Sequence, residues 1–153
     1  MNLDKSILIE CCDMKAEIKD LRRRIIQDKK ELKCIETDGK VVDTVKGGLG
    51  GQQHYTVEGF PHPLYERKKR LLRQRMEKLE RYETELLVLT NQAEEYIESI
   101  EKSELRTMFR LYFIDGLTHA RTAECMNSIY PNRKVKYTDE NVKKRIQRFF
   151  EKN

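Results

Sequence analysis

The chain has no tryptophan, three prolines and seven glycines in 153 residues. Six of the glycines lie between Gly39 and Gly59, so long stretches on either side lack the two residue types that most often interrupt a helix. No apolar run approaches the ~20 residues that cross a bilayer as a helix. The N-terminus has early acidic residues and no small-residue cleavage site, so we expect no secretory signal peptide. We therefore expect a cytoplasmic protein with no membrane contact.

Recognisable catalytic and metal-binding patterns are also missing. The four cysteines, Cys11, Cys12, Cys34 and Cys125, have neither Cys-x-x-Cys spacing nor a nearby histidine pair, so we expect reduced, packed thiols rather than a zinc site. The glycine-rich run 47–51 lacks the Lys-Ser/Thr pair of a P-loop, and the chain has neither a nucleophile elbow nor a dinucleotide-binding fingerprint. The sequence therefore predicts a protein that is not an enzyme and has no metal or cofactor.

Charge is abundant and nearly balanced. Asp, Glu, Lys and Arg make up 37% of the chain, 31 basic residues stand against 26 acidic ones, and the isoelectric point is about 9.0. Such a charged fraction beside 38% hydrophobic residues favours long, solvated helices over a thick enzyme-like core. The positive balance permits nucleic-acid binding, although a solvated basic surface would give the same value.

Two long amphipathic helices are predicted, over residues 3–36 and from Pro63 to about Lys102. Their apolar residues alternate steps of three and four, as in a coiled-coil seam. The first seam comprises Ile7, Cys11, Met14, Ile18, Leu21, Ile25, Leu32 and Ile35, with a polar interruption at Asp28. The second comprises Leu72, Met76, Leu79, Tyr82, Leu86, Leu89, Ala93, Ile97 and Ile100. Seams this narrow need a partner, which is either the other helix of an antiparallel hairpin or a second subunit. We expect a hairpin that also forms a homodimer through the long helices, and the sequence leaves open whether the seams pair within or between chains.

Residues 37–62 connect these helices and have a different composition. Lys40–Val45 and His54–Val57 are short β-leaning runs that flank the glycines. They predict a small β-hairpin or an ordered loop.

Charge is segregated along the second helix, with basic residues crowded between Arg67 and Arg81 and glutamates between Glu83 and Glu101. The first helix is basic at residues 22–24 and again at residues 29–33. An antiparallel hairpin would bring the basic segments together. Either a screened, solvated face or a second phosphate-contacting surface would relieve their repulsion, and the sequence leaves both open.

Residues 103–153 are predicted to form a three-helix unit, separate from a helical-hairpin region at residues 1–102. Ser103, Thr118 and Thr138 are suitable N-caps, and Asp115-Gly116 ends the first of the three helices. The predicted inward residues are Leu105, Met108, Phe109, Tyr112, Phe113, Ala120, Ala123, Met126, Val142, Ile146, Phe149 and Phe150. The third helix turns Lys143, Lys144, Gln147 and Arg148 outward. A capped, basic third helix of this kind is what a reader of the DNA major groove needs.

The segments GLTHARTAECM (116–126) and TDENVKKRIQRFF (138–150) resemble the C-terminal helix-turn-helix of sigma-70-type factors, known as region 4. Together with Val41–Gly47, they make most of the chain similar to RinA/ArpU-type transcription regulators of temperate phages of low-GC Gram-positive bacteria. Residues 127–137 separate the second and third helices, where that family usually has a tight turn. The resemblance implies an all-α protein in a bacterial host cell that binds double-stranded DNA, contacts host RNA polymerase and activates late or packaging genes.

Docking of this kind assigns a role to particular residues. Base edges are expected to contact Asp139, Glu140, Asn141, Lys143, Lys144 and Gln147. Asp139 and Glu140 would also serve as ordinary first-turn residues that complement the helix dipole. Backbone phosphates are expected to contact Thr118, His119, Arg121, Arg133, Lys134, Lys136, Thr138, Arg145 and Arg148.

Two other functions fit the same pattern. A small-terminase-like DNA-packaging subunit also joins a helix-turn-helix to a helical hairpin, but it assembles into rings, so the mass in solution discriminates between the two. A coiled-coil interaction module that binds no DNA is the remaining alternative.

Overall fold

The computed structural model describes residues 4–38, 41–47, 53–59 and 61–152. Most of these residues belong to helices α1 (Ser6–Asp38), α2 (His62–Glu98), α3 (Ser103–Phe109), α4 (His119–Ile129) and α5 (Asp139–Glu151), or to strands β1 (Val41–Gly47) and β2 (Gln53–Gly59). The all-α class is confirmed in this coarse form, since the two strands make only a small sheet. Among the described residues, no helix is both long enough and apolar enough to span a membrane.

The chain divides into two compact units. The central unit comprises residues 18–81, and the terminal unit comprises residues 1–17 and 82–153. Both long helices contribute residues to each unit.

In the central unit, the predicted seam of α1 is buried. Ile18, Leu21, Ile25 and Leu32 are at most 7% exposed. The polar interruption at Asp28 is also satisfied within the chain, because its carboxylate accepts a hydrogen bond from Arg75 of α2. Because the half-buried carboxylate of Asp28 already has a cation, it needs no partner from another chain at this position.

Three contacts in the central unit set the relative direction of α1 and α2. Asp28 binds Arg75, Glu31 binds Lys68 at 2.7 Å, and Glu36 accepts a hydrogen bond from the hydroxyl of Tyr65. As the residue number on α1 rises from 28 to 36, that of its partner on α2 falls from 75 to 65. The two segments therefore run in opposite directions here.

Between these segments, β1 and β2 pair antiparallel, with Val41 opposite Gly59 and Gly47 opposite Gln53. Of the two predicted forms of the connector, the backbone therefore adopts the hairpin. The glycine-rich run 47–51, apart from Gly47 itself, lies outside the described residues.

In the terminal unit, one apolar core draws on every helix. Its buried members are Leu8, Cys11, Ala93, Ile97, Ile100, Met108, Phe109, Phe113, Ala123, Met126, Tyr137, Val142 and Ile146. This core crosses the position after residue 102 where the sequence predicts a domain boundary. The ends of α1 and α2 thus share their apolar surface with α3, α4 and α5.

Two helix ends differ from the prediction. Helix α2 ends at Glu98 rather than near Lys102, and the carbonyls of the following break are satisfied by Arg106, which donates to the oxygens of Ile100 at 2.6 Å and Glu101 at 3.0 Å. Ser103 is the first helical residue of α3 and not its cap, since Lys102 occupies the cap position without a side-chain hydrogen bond.

Two predicted inward residues are wrong. Met76 is 46% exposed, although it follows the seam of α2. Ala120 is also exposed, and Thr122 is fully buried on α4 instead. The face that α4 buries is therefore rotated relative to the one that apolar spacing alone selects.

The α1–α2 pairing in the terminal unit can be tested by cross-linking. The sulfur of Cys11 lies 3.8 Å from the hydroxyl of Thr90, a separation that suits a disulfide if the second side chain is also a cysteine. We expect Thr90→Cys, with Cys12, Cys34 and Cys125 replaced by serine, to form an intrachain disulfide on mild oxidation. Mass spectrometry and non-reducing electrophoresis would show a cross-link without a doubling of mass.

The control for this experiment is Val88→Cys in the same background. Val88 is 54% exposed and so faces away from the buried Cys11, and it should leave both thiols free. A disulfide-linked dimer formed by the Thr90→Cys variant would contradict the pairing, since it would show that these seams join two chains.

Candidate nucleic-acid interface

Helices α4 and α5 each begin at a threonine cap, as the sequence predicts. The hydroxyl of Thr118 accepts a hydrogen bond from the backbone N–H of Arg121, and that of Thr138 accepts one from Asn141, both at 3.2 Å. Each cap satisfies a backbone donor that the first helical turn leaves unpaired. The starts of both helices are therefore fixed by local sequence.

Helix α5 separates an apolar face from a polar one. Val142 is fully buried and Ile146 is 7% exposed. The side chains predicted to face outward are all exposed, namely Lys143, Lys144, Gln147 and Arg148. The 3.6-residue period therefore predicts correctly which side of this helix meets solvent.

Aromatic packing anchors the end of α5. The ring of the fully buried Phe109 lies 4.7 Å from that of Phe149 and 5.3 Å from that of Phe113, both edge to face. Phe150 in turn lies 5.8 Å from Phe113. Such pairs are worth about 0.5–1.5 kcal/mol each beyond their buried area, so α5 cannot rotate without loss of several contacts.

Lys5, which directly precedes α1, and Lys15 of α1 bind the carboxyl ends of other helical segments. Lys5 donates to the carbonyl of Phe150 at 2.9 Å and to that of Phe149 at 3.4 Å. Lys15 donates to the carbonyl of Phe113 at 2.9 Å and to that of Ile114. A cation at this end of a helix satisfies unpaired carbonyls and complements the dipole. Helix α1 thus helps to hold α5 in place.

A π-helical segment, Arg110–Ile114, follows α3 and leads to α4. Its wider turn appears in the bond from the N–H of Asp115 to the carbonyl of Arg110, at 2.9 Å. Gly116 then takes a φ of +70°, a left-handed conformation that costs little only for glycine. The predicted role of Gly116 as a helix terminator is confirmed.

The turn between α4 and α5, residues 130–138, is long but well bonded. Asn127 acts as a clamp, because its amide donates to the carbonyl of Tyr137 at 2.9 Å and accepts from the N–H of Tyr137 at 2.7 Å. Lys136 adds a bond to the carbonyl of Pro131 at 2.8 Å. A longer connection than the tight turn of the resembled family is therefore held in one shape.

A polar cluster ties this turn to α3 and α5. Glu104 accepts hydrogen bonds from Arg133, Arg145 and the hydroxyl of Tyr137. Both guanidinium groups also lie over the ring of Tyr137, at 5.1 and 5.5 Å from its centroid. One carboxylate thus joins α3, the turn and α5.

The cluster perturbs the ionisation of its members. Burial raises the pKa of Tyr137, and the hydrogen bond to Glu104 raises it further, to about 12. Burial would also raise the pKa of Glu104, but hydrogen bonds from Tyr137, Arg133 and Arg145 together outweigh it and hold that pKa below its ordinary value. Glu104 is therefore ionised near neutral pH.

The residues predicted to contact bases have different surroundings. Lys143 is exposed. Glu140 and Lys144 form an exposed pair at 3.1 Å, and Gln147 donates to Glu151 at 3.2 Å. Asp139 is 68% exposed, with its carboxylate 4.0 Å from the ring of His119.

Asn141 differs from this group. Its amide nitrogen donates to the carbonyl of Lys136 at 3.2 Å, and its amide oxygen is buried without a partner among the described residues. The side chain therefore faces the turn and not the exposed side of α5.

The residues predicted to contact phosphates lie at three places: the start of α4 (Thr118, His119 and Arg121), the turn (Arg133, Lys134 and Lys136), and α5 with its cap (Thr138, Arg145 and Arg148). At the start of α4, Arg121 pairs with Glu124 at 2.7 Å and His119 stacks on Tyr112 with ring centroids 4.7 Å apart. In the turn, Lys134 and Lys136 are exposed.

A groove of about 370 Å³ runs beside α5. It is lined by Lys102, Glu104, Leu105, Arg133, Arg145, Arg148, Phe149 and Lys152. Five of these residues are cationic and one is anionic. The flank of α5 is therefore electropositive over a half-buried apolar floor, a setting that suits a phosphate group.

Four residues that shape this region were not singled out in the sequence, namely Lys5, Lys15, Glu104 and Asn127. Lys5 lies 145 positions from the carbonyl that it binds at Phe150, and no local pattern reports such a contact. Glu104 carries a weak signal as an acidic residue in a first helical turn, but that position alone does not predict its partners.

No protein-family model, curated protein or solved structure matches the chain. The resemblance to phage regulators therefore remains a prediction from the residues that carry it. The geometry of the terminal unit is the remaining basis for an argument about function.

Removal of the Glu104 charge should destabilise the terminal unit in a pH-dependent way. Glu104→Gln leaves two arginines without their carboxylate, and we expect a loss of about 2 kcal/mol at pH 7. Because the pKa of Glu104 is lowered by folding, its contribution is complete above the ordinary pKa of glutamate and disappears as pH falls through the folded value. Thermal melts should therefore show a gap between wild type and variant that narrows below about pH 4.

Glu124→Gln is the matched control, since Glu124 is 64% exposed and its pair with Arg121 is a surface one. It should change stability by less than about 0.5 kcal/mol. A Glu104→Gln gap that stays constant between neutral and acidic pH would contradict the proposed ion-pair contribution.

Proposed function

We propose that the protein is a sequence-specific DNA-binding transcription regulator in which α4 and α5 act as a helix-turn-helix and α5 reads the major groove. The observation that carries the proposal is the amphipathic character of α5. Its inner side is fixed by Val142 and Ile146, whereas Lys143, Lys144 and Gln147 are exposed. A rigidly held helix with exposed polar side chains is the element that direct readout requires.

The exposed side chains match the chemistry of base edges. Lys143 and Lys144 would donate to guanine O6 and N7, Gln147 would bind adenine, and Glu140 would accept from cytosine N4. The Glu140–Lys144 pair is exposed, so it is weak and exchanges easily for base contacts. Asn141 would shape the turn rather than read a base, given its buried amide oxygen.

Backbone phosphates would bind in the groove beside α5, at the start of α4, in the turn and at the start of α5. The groove beside α5 offers Arg133, Arg145 and Arg148, and only Glu104 offsets their charge there. The start of α4 offers Thr118 with His119 and Arg121, and the turn adds Lys134 and Lys136. Thr138 lies at the start of α5, where backbone N–H groups suit an anion. Contacts of this kind set position and orientation rather than sequence preference.

The larger assembly is part of the proposal. Helices α1 and α2 would pair as an antiparallel hairpin, and a second copy would cover the exposed Leu87 and Val88 of α2, which are 67% and 54% exposed. A dimer supplies two readers for half-sites about 34 Å apart or a multiple of that distance. Activation of late or packaging genes, a phage origin and contact with host RNA polymerase rest on the resemblance of residues 116–126 and 138–150 alone.

Selection of bound fragments from a random duplex library, at near-physiological salt, tests the function directly. An enriched motif, above all a palindromic one, would support a regulator and give the half-site spacing. The mass in solution separates the packaging alternative, because a ring of many subunits would contradict a monomeric or dimeric regulator.

Loss of the two lysines on α5 should weaken binding to the selected site. We expect Lys143→Ala combined with Lys144→Ala to reduce affinity by at least about tenfold, since each base contact is worth about 1–3 kcal/mol. The variant should also discriminate less well between the selected duplex and a scrambled one. Fluorescence anisotropy on both duplexes over a salt series would measure these effects.

The matched control removes two positive charges elsewhere. Arg23→Ala combined with Arg24→Ala changes the net charge equally, and both arginines are already paired with Asp20. This control should keep the preference for the selected duplex. Equal loss of preference in both double variants, or in neither, would show that α5 is not the reading element.

A further inference from the structure

The excess positive charge of the chain resides in the central unit. Residues 18–81 contain 17 Lys and Arg against 10 Asp and Glu, an excess of seven, whereas the whole chain has 31 against 26, an excess of five. The remaining residues therefore carry a net charge of −2. Solubility alone does not require the excess charge to be concentrated in one unit.

One side of the central unit has its charges paired. The carboxylate of Asp20 binds Arg23 at 2.9 Å and Arg24 at 2.8 Å. Asp28 binds Arg75, and Glu31 binds Lys68 at 2.7 Å. These residues border a groove of about 390 Å³ lined by Arg23, Arg24, Gln27, Asp28, Glu31, Lys68, Leu71 and Arg75. All the carboxylates of α1 between residues 18 and 35 are engaged on this side.

The other side of α1 has only cations. At 3.6 residues per turn, a single arc of about 100° contains Lys19, Arg22, Lys29, Lys30 and Lys33, and this set is called the basic stripe. The side chains of Asp20, Asp28 and Glu31 lie outside that arc. The four lysines are exposed and form no ion pair with any described residue. The stripe extends for about 21 Å along the helix axis.

We infer that the basic stripe is a second nucleic-acid surface, which binds the phosphate backbone of duplex DNA without regard to sequence. The inference rests on the proposed DNA-binding function and adds a contact outside the terminal unit. Lys29 and Lys33 are four residues apart, and Lys30 and Lys33 are three apart, spacings at which like charges destabilise a helix. A polyanion removes that repulsion, because a duplex presents about one negative charge per 1.7 Å of its axis.

The composition of the stripe favours a backbone over a base-reading contact. Four of its five members are lysines, which act as point charges on flexible stems rather than as planar forks that recognise one edge. On α2, by contrast, the 3.6-residue period places Arg70 and Arg73 on the same arc as Glu66 and Glu77, so that part of its surface is mixed.

The salt dependence of binding tests this inference. A double variant, Lys29→Ala with Lys33→Ala, would be compared with wild type on a scrambled duplex by fluorescence anisotropy from about 50 to 200 mM salt. Each lost phosphate contact reduces the slope of log K against log salt by about 0.9, so a decrease approaching 1.8 is expected. Arg23→Ala with Arg24→Ala removes the same charge from the paired side and should leave the slope unchanged. Circular dichroism would verify that both variants keep their helicity.

The outcomes separate this inference from the proposed function. Equal slopes for wild type and the Lys29/Lys33 variant, or equal decreases in both double variants, would overturn the stripe as a DNA surface. If the Lys29/Lys33 variant shows the expected decrease in salt slope but the wild type prefers no selected duplex, sequence-specific reading by α5 would be overturned. The assignment of the stripe as a DNA surface would stand. Polyglutamate and vesicles with about 30% phosphatidylserine serve as competing anions. Binding to either one that depends on Lys29 and Lys33, with no such dependence on DNA, would assign the stripe to a protein or a membrane instead.

Discussion

The position of α5 depends on the burial of one apolar core to which distant parts of the chain contribute. Neither α4 nor α5 has enough apolar surface to fold alone, since Val142 and Ile146 form only a narrow face. Leu8 and Cys11 of α1, together with Ala93 and Ile97 of α2, complete the core that those residues enter. The long helices are therefore part of the scaffold of the proposed reading element and not only a means of pairing.

Carboxylates determine which cations remain available to a partner. Glu104 neutralises part of the charge of Arg133 and Arg145, and Asp20, Asp28 and Glu31 engage cations on one side of the central unit. Net charge alone does not distinguish such paired cations from exposed, unpaired ones. On the exposed side of α5 and along the basic stripe, the two surfaces proposed to meet DNA, cations outnumber the described carboxylates that bind them.

The features predicted correctly from the sequence are those that neighbouring residues determine. The caps at Thr118 and Thr138, the left-handed Gly116, the buried seam of α1 and the outward residues of α5 all follow from spacing and residue type. Contacts between residues far apart in the sequence were not predictable in this way. The contact of Lys5 with the end of α5 and that of Glu104 with the turn depend on how the helices pack. The helical period of a sequence carries no information about such packing. The same reason explains why Thr122 rather than Ala120 is buried.

The turn before α5 shows how such a long-range contact bears on function. A free nine-residue connection would leave Arg133, Lys134 and Lys136 at variable distances from α5, and ordering them on binding would oppose affinity. Here Asn127 bonds both backbone groups of Tyr137, and Glu104 holds Tyr137 and Arg133 from the other side. The basic residues of the turn are thus positioned beside α5 before any partner arrives. The long turn thus enlarges the cationic flank of α5 without the entropic penalty of a mobile loop.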